Sequence, residues 1–271
     1  MHNVQATKPL QLKSLIDWPH FFHAWQMKGA AVQSREAEQL KQDALRMLHD
    51  MDSDGTRVLS KCLVLEAYGK DEDIILKTAE KDLILPCLRQ QHPITEISPY
   101  NLCLADYLAP NEGFHPIGNR IGIFATTVHA PRLNHVTDDY EHLLMQTLAD
   151  RMAEAEAERL HRKVLQTCFG VATKEGEPLQ GCRPAIGYPS LPDLSLNFLI
   201  QPILKFEELG IRLTDSGMMI PHAAVSGLIF AHPQAKYFSI ARISEEQFLN
   251  YAGRRNLPPE TLRRFLSNLL Q

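Results

Sequence analysis

Arg183 has the surroundings in this chain that most resemble a built binding group. It opens the run RPAIGYP (183–189), where two prolines and a glycine stiffen the backbone and present the guanidinium at a fixed place. A planar fork of N–H donors held in that way suits a carboxylate, which it can grip through two parallel hydrogen bonds. An arginine taken at random more often pairs with a surface acid, so the motif carries the point rather than the residue type. Asp17 precedes an aromatic run and has the ordinary place of a helix N-cap. Glu154 falls off the apolar stripe of a long helical stretch, beside Glu158, where a solvated acidic face is the usual outcome. Among 12 histidines, His20 and His23 lie three apart with no third ligand nearby, and His222 and His232 sit in strand or turn contexts. Surface or structural imidazoles are the better account of them than metal ligands.

Generic catalytic signatures are absent. There is no nucleophile elbow, no Walker loop, no zinc-protease helix motif and no dinucleotide-type glycine loop after a strand, so the glycine loop of the common methyltransferases is missing as well. The balance of 44% hydrophobic and 22% charged residues describes an ordinary globular core. A net charge of −4 and a pI near 6.3 leave no basic footprint for nucleic acid. The densest basic pairs, Arg254-Arg255 and Arg263-Arg264, read as solvated helix faces. Five cysteines without close spacing indicate reduced thiols rather than a disulfide framework or a zinc knuckle. No apolar run is long enough for a membrane span and no leader pattern stands at the N-terminus, so a cytoplasmic protein is expected.

The elements that must position these residues follow from periodicity. Residues 1–34 form an N-terminal helical segment in which Trp18, Phe21, Phe22 and Trp25 share one face. A serine cap and following acids predict a helix over 34–51, with Leu40, Ala44, Met47, Leu48 and Met51 inward. Residues 58–78 hold two β-rich runs around a Gly-Lys-Asp-Glu turn, the pattern of a hairpin. Residues 101–108 and 121–128 are further strand candidates. One long helix spans 137–168, with acids at its start and Leu144, Leu148, Met152 and Ala155 as its stripe. A Gly/Pro-rich loop (175–193) follows, then a helix over 196–209, strands over 223–232 and 236–243, and a helix pair from 244 to 270 split by Pro258-Pro259. Segregated blocks of this kind indicate a single α+β domain over residues 1–271 with antiparallel sheet.

Five segments resemble the C-terminal reactivation domain of cobalamin-dependent methionine synthase, in that family's order and at compatible spacings. They are IDWPHFFHAW (16–25), NLCLADYLAP (101–110), DDYEHLLMQTLADRMAEAEAERLH (138–161), QGCRPAIGYPSLPD (180–193) and LTDSGMMIPHAAVSGLIFAHPQAKYFSIARI (213–243). The resemblance implies a C-shaped α+β domain with an antiparallel meander and flanking helices. It also implies binding of S-adenosyl-L-methionine (AdoMet), whose methyl group, with an electron from flavodoxin or a similar reductase, restores an oxidised cobalamin to methylcobalamin.

Carried over residue by residue, the resemblance implies that Asp17 and Arg183 contact AdoMet and that Glu154, Glu177, Ala185, Gly187, Tyr237 and Phe238 lie at its site. Tyr188 is then expected near the corrin. For Asp17 and Glu154 this reverses the bland reading of cap and solvated acid. The amino-acid end of AdoMet carries an ammonium for carboxylates and a carboxylate for arginine, and its sulfonium suits aromatic faces. Methyl transfer to a reduced cobalt asks for positioning rather than a general acid or base. The chain departs from the family pattern at Phe238, where a second tyrosine is usual. It departs again at Trp18-Pro19-His20 in place of a Thr-Pro pair, and at Ile220-Pro221-His222 in place of Trp-Pro-Gly. The sequence holds no corrin-ligating motif, no folate barrel and no zinc-binding cysteine set. Cobalamin is therefore expected from a partner: the B12-binding domain of a truncated methionine synthase or a related corrinoid protein. The alternative is a non-catalytic module that docks on or escorts such a protein.

Overall fold

A strand with apolar side chains on both faces needs cover on both faces, and Arg120–His129 is buried at every position between its two ends. The computed structural model describes residues 3–93, 98–108, 119–173 and 178–270. In chain order its main elements are β1 (Gln5–Thr7), α1 (Trp18–Ala24), α2 (Arg35–Ser53), β2 (Arg57–Lys70), β3 (Asp73–Leu76), β4 (Leu83–Pro86), β5 (Arg120–His129) and α3 (Asp139–Phe169). They continue with α4 (Asn197–Leu204), β6 (Arg212–Leu213), β7 (Met219–Ile220), β8 (Ala224–Ile229), α5 (Glu245–Arg255) and α6 (Pro259–Leu266).

All pairings in the main sheet are antiparallel, in the order β4-β3-β2-β5-β8, with β1 also on β2. β2, β3 and β4 form the meander, and β5 with β8 extends it from the other edge of β2. Side chains alternate across the sheet and divide the core in two. Val58, Cys62, Phe124, Val128, Val225 and Ile229 pack against α1, α2 and α3. Leu63, Ala67, Ile121, Ile123, Ala125 and Leu228 pack on the opposite side with α4, α5 and α6. The fold is thus the expected mixture of helices with an antiparallel sheet, as a sheet covered on both faces.

Ser34 caps α2 by accepting a bond from the Ala37 amide at 3.1 Å, and Asp138 caps α3 through the Glu141 amide at 2.8 Å. The long helix and the 57–76 hairpin lie where periodicity puts them. Three expectations need correction. Residues 101–108 are not a strand: Leu104–Tyr107 is a 3-10 turn, because the Asp106 carboxylate turns back to the Cys103 amide at 2.9 Å and to Arg89 at 2.7 Å. Residues 236–243 likewise stay out of the sheet, since the Ile240 amide donates to the Pro189 carbonyl and Ile243 to Leu269. Arg255 is not on a solvated face: its side chain is only 4% exposed and ion-pairs with the buried Asp193 at 3.2 Å. Among the described residues no helix is long and apolar enough to cross a membrane, and no histidine, cysteine and acid group could hold a metal. The five cysteines are unpaired.

Candidate ligand-binding cleft

Arg183 is held by the sheet. The 182–186 segment lies along the end of β8, with the Leu228 amide donating to the Pro184 carbonyl at 3.0 Å and the Ile186 amide to Ser226 at 2.9 Å. A Cβ at residue 227 would meet the Pro184 carbonyl oxygen at 2.3 Å, so this close approach requires Gly227. Alternation then sends Cys182 and Ile186 into the core beside α4 to α6, and Ala185 into the core beside α3. Arg183 shares the Ala185 face. Its guanidinium lies over the Phe124 ring at 5.6 Å, with Glu154 at 3.5 Å and Glu158 at 4.0 Å. Its Nε is buried with no hydrogen-bond partner.

The turn after Arg183 delivers Tyr188. Gly187 has φ of +89°, a backbone conformation glycine adopts without strain, and its amide bonds to the Leu191 carbonyl at 2.8 Å. Tyr188, half exposed, donates its hydroxyl to Glu154 Oε1 at 2.6 Å. Burial of the phenol, reinforced by that carboxylate, raises its pKa well above the ordinary range.

From the other side, α1 supplies Asp17. One carboxylate oxygen caps the helix at the His20 amide, 3.0 Å away, and the other meets His20 Nδ1 at 2.7 Å. The side chain is therefore a helix cap that also lines a cleft. Asp17, Glu154, Arg183 and Tyr188 line a single cleft of about 290 Å³, together with Leu15, His20, Arg151, Ala155 and Glu158. Tyr237 does not line this cleft but touches the group through Arg183, its hydroxyl accepting the Arg183 amide at 2.9 Å, and the residue is 56% exposed. Burial of the hydroxyl raises the Tyr237 pKa.

Two other expected site residues contribute through the backbone. Ala185 is buried and bridges to Gly227. Phe238 is 4% exposed, with its ring in the core and its amide on Ser190 Oγ at 3.2 Å. The tyrosine hydroxyl usual in the family at this position would need a partner inside that core. Glu177 lies outside the described residues. Arg151, Glu158 and His20 also line the cleft, and no motif singled them out for it. Their signal is helical spacing: Arg151, Glu154 and Glu158 stand at i, i+3 and i+7, one face of α3.

Beneath the cleft lies His161, 2% exposed. Burial, helped by Arg183 and Arg162, lowers its pKa to about 3, so the imidazole is neutral. A second, wider cleft of about 610 Å³ opens along the same helix. His142, Gln146 and Ala149 line it from α3, and Pro131, Leu133, Ile220, Pro221 and His222 from other elements. His222 Nδ1 lies 3.2 Å from Asp150, where α3 passes from one cleft to the other.

A helix-covered antiparallel sheet with carboxylates and arginines gathered in one cleft describes an α+β domain with a candidate ligand-binding site. The family model for the activation domain of vitamin B12-dependent methionine synthase matches residues 10–256, and the chain belongs to that family. Among solved structures it is similar to the MetH reactivation domain crystallised with AdoHcy. The two share 30% identity and a TM-score of 0.86, over 99% of this chain and 90% of that one.

Proposed function

We propose that the narrow cleft binds AdoMet and that the chain serves the reductive remethylation of a cobalamin held outside these 271 residues. The observation that carries the reading is the convergence of Asp17, Glu154 and Arg183, from three separate parts of the chain, on one cleft. Three carboxylates (Asp17, Glu154, Glu158) against two guanidiniums (Arg151, Arg183) leave one net negative charge when His20 is neutral. AdoMet, a zwitterion plus a sulfonium, carries one net positive charge and complements it. The carboxylates face the ammonium, arginine takes the carboxylate, and the exposed rings of Tyr188 and Tyr237 offer faces for sulfonium or adenine. AdoMet supplies the methyl group, a flavodoxin-like reductase the electron, and a partner's cobalt the acceptor. The residues of the chain hold the donor and aim it, a task that uses orientation and no proton transfer. The wider cleft, with its apolar walls, is the place for the partner's macrocycle. That partner is the B12-binding domain of a truncated methionine synthase or a related corrinoid protein, met in the cytoplasm.

The test mixes the chain with a methionine synthase B12 domain in the cob(II)alamin state, AdoMet and a chemical reductant. The expected result is an AdoMet-dependent methylcobalamin spectrum. Absence of that spectrum would overturn the reactivating role, and docking on the B12 domain with AdoMet binding weak or absent by calorimetry would leave the escort role in its place.

A further inference from the structure

The two arginines of the narrow cleft are not equivalent. Arg183 already has Glu154 at 3.5 Å and Glu158 at 4.0 Å, and it rests on the Phe124 ring. Arg151 has none of this. It lines the same cleft, its Nε like that of Arg183 is buried without an acceptor, and what sets it apart is that among the described residues no carboxylate reaches it. Glu154, one turn along α3, could have been its partner. Instead Glu154 directs Oε1 to the Tyr188 hydroxyl at 2.6 Å and Oε2 towards Arg183. The remaining acids are placed otherwise, Asp17 on His20 and Glu158 towards Arg162 at 2.9 Å. A buried guanidinium N–H without an acceptor costs stability that a bound anion would return. A planar fork with free donors fits a carboxylate better than any other common anion of comparable size except phosphate.

We infer that Arg151 is a ligand-binding residue of this cleft, receiving the α-carboxylate of the sulfonium amino acid, with Arg183 and its two glutamates setting the opposite charge balance beside it. The inference rests on the AdoMet reading of the cleft and deepens it. Tyr188 stands within electrostatic reach of both guanidiniums, which lower the phenol pKa against the stronger effects that raise it. A carboxylate that enters between them would meet one compensated cation and one uncompensated cation. The uncompensated one gains more, because no existing ion pair has to be given up.

The test is a coupling cycle between residue and ligand. Calorimetry measures AdoMet and its decarboxylated analogue, which keeps the sulfonium and ammonium, against the unaltered protein, Arg151→Gln and Arg151→Lys, with thermal melts checking that each variant is folded. For a charge-assisted contact of this kind, Arg151→Gln should weaken AdoMet by about 10- to 100-fold and leave the decarboxylated ligand within about twofold, with Arg151→Lys between. Equal losses for both ligands, or no loss for AdoMet, would overturn the role of Arg151 while leaving the cleft assignment intact. An unaltered protein that binds neither ligand would overturn the cleft assignment, and the Arg151 role with it.

Discussion

Two groups of arginine, carboxylate and tyrosine flank the same stretch of chain, and they are put together in opposite ways. Around Asp193 no buried side-chain nitrogen or oxygen of Asp193, Ser195, Tyr251 or Arg255 is left without a partner. Tyr251 donates to Oδ2 at 2.8 Å, Arg255 Nε to the same oxygen at 3.2 Å and the Ser195 amide to Oδ1 at 2.8 Å, with Arg255 also on Ser195 Oγ at 2.7 Å. The side chains of Arg255 and Asp193 are 4% and 1% exposed. Around Glu154 the contacts to Arg183 are long, two guanidinium nitrogens (Arg151 Nε and Arg183 Nε) have no partner, and the tyrosine is half exposed. The first group anchors the loop that follows Tyr188 to α5 and holds one arrangement. The second keeps donors and acceptors unspent in a cleft, which is what a binding site needs before its ligand arrives.

That contrast can be broken most forcefully at Arg255. Arg255→Met leaves the Asp193 carboxylate buried without its cation, and urea unfolding should show a loss of about 3–5 kcal/mol. A loss below about 1 kcal/mol would mean that the buried knot is no tighter than the cleft.

Next in size is the effect of the neutral imidazole under the cleft. His161 has a folded pKa of about 3, whereas an unfolded histidine titrates near 6.5. Between these values the unfolded chain takes up a proton that the folded chain refuses, so stability is present above about pH 6.5 and falls as pH drops through the window. From pH 7 to 5 the loss from this residue should be about 2 kcal/mol. In His161→Leu, urea titrations at the two pH values should show that contribution removed; an unchanged slope would mean that the imidazole is charged in the folded protein.

Smaller again is the stability change at Arg183. Arg183→Gln should alter urea stability by less than about 1 kcal/mol, because its ion pairs are long and partly solvated. The same variant should weaken AdoMet by about tenfold or more in calorimetry. A reversed pattern, with stability lost and affinity kept, would make Arg183 structural like Arg255. The smallest effect belongs to Tyr188→Phe, which frees one oxygen of Glu154 and should change stability by only a few tenths of a kcal/mol, by thermal melt.

The elements legible in the sequence were those whose own residues determine them. α2 and α3 announce themselves by cap and stripe, and the 57–76 hairpin by its turn. The failures have a common cause in partners distant along the chain. Phe238 and Ile240 alternate with polar residues as strand residues do, yet the backbone there bonds to Pro189 and Ser190 instead of a neighbouring strand. Arg255 looks like a surface cation until Asp193, 62 positions away, is placed beside it. At the site, Arg183 stands out by its motif and Asp17 by the family resemblance, whereas Arg151 needs the fold, since only packing shows which cations are already matched.

The 31 residues of α3 form one uninterrupted rod. Gln146 walls the wide cleft and Glu154 the narrow one, so their spacing is fixed by helical rise at about 12 Å along the axis. If the two clefts take donor and acceptor as proposed, the helix acts as a gauge block between them, and its pitch sets their separation before either molecule arrives. A single residue inserted between Asp150 and Arg151 would turn one wall by about 100° against the other, leaving each cleft its own chemistry while misaligning the pair.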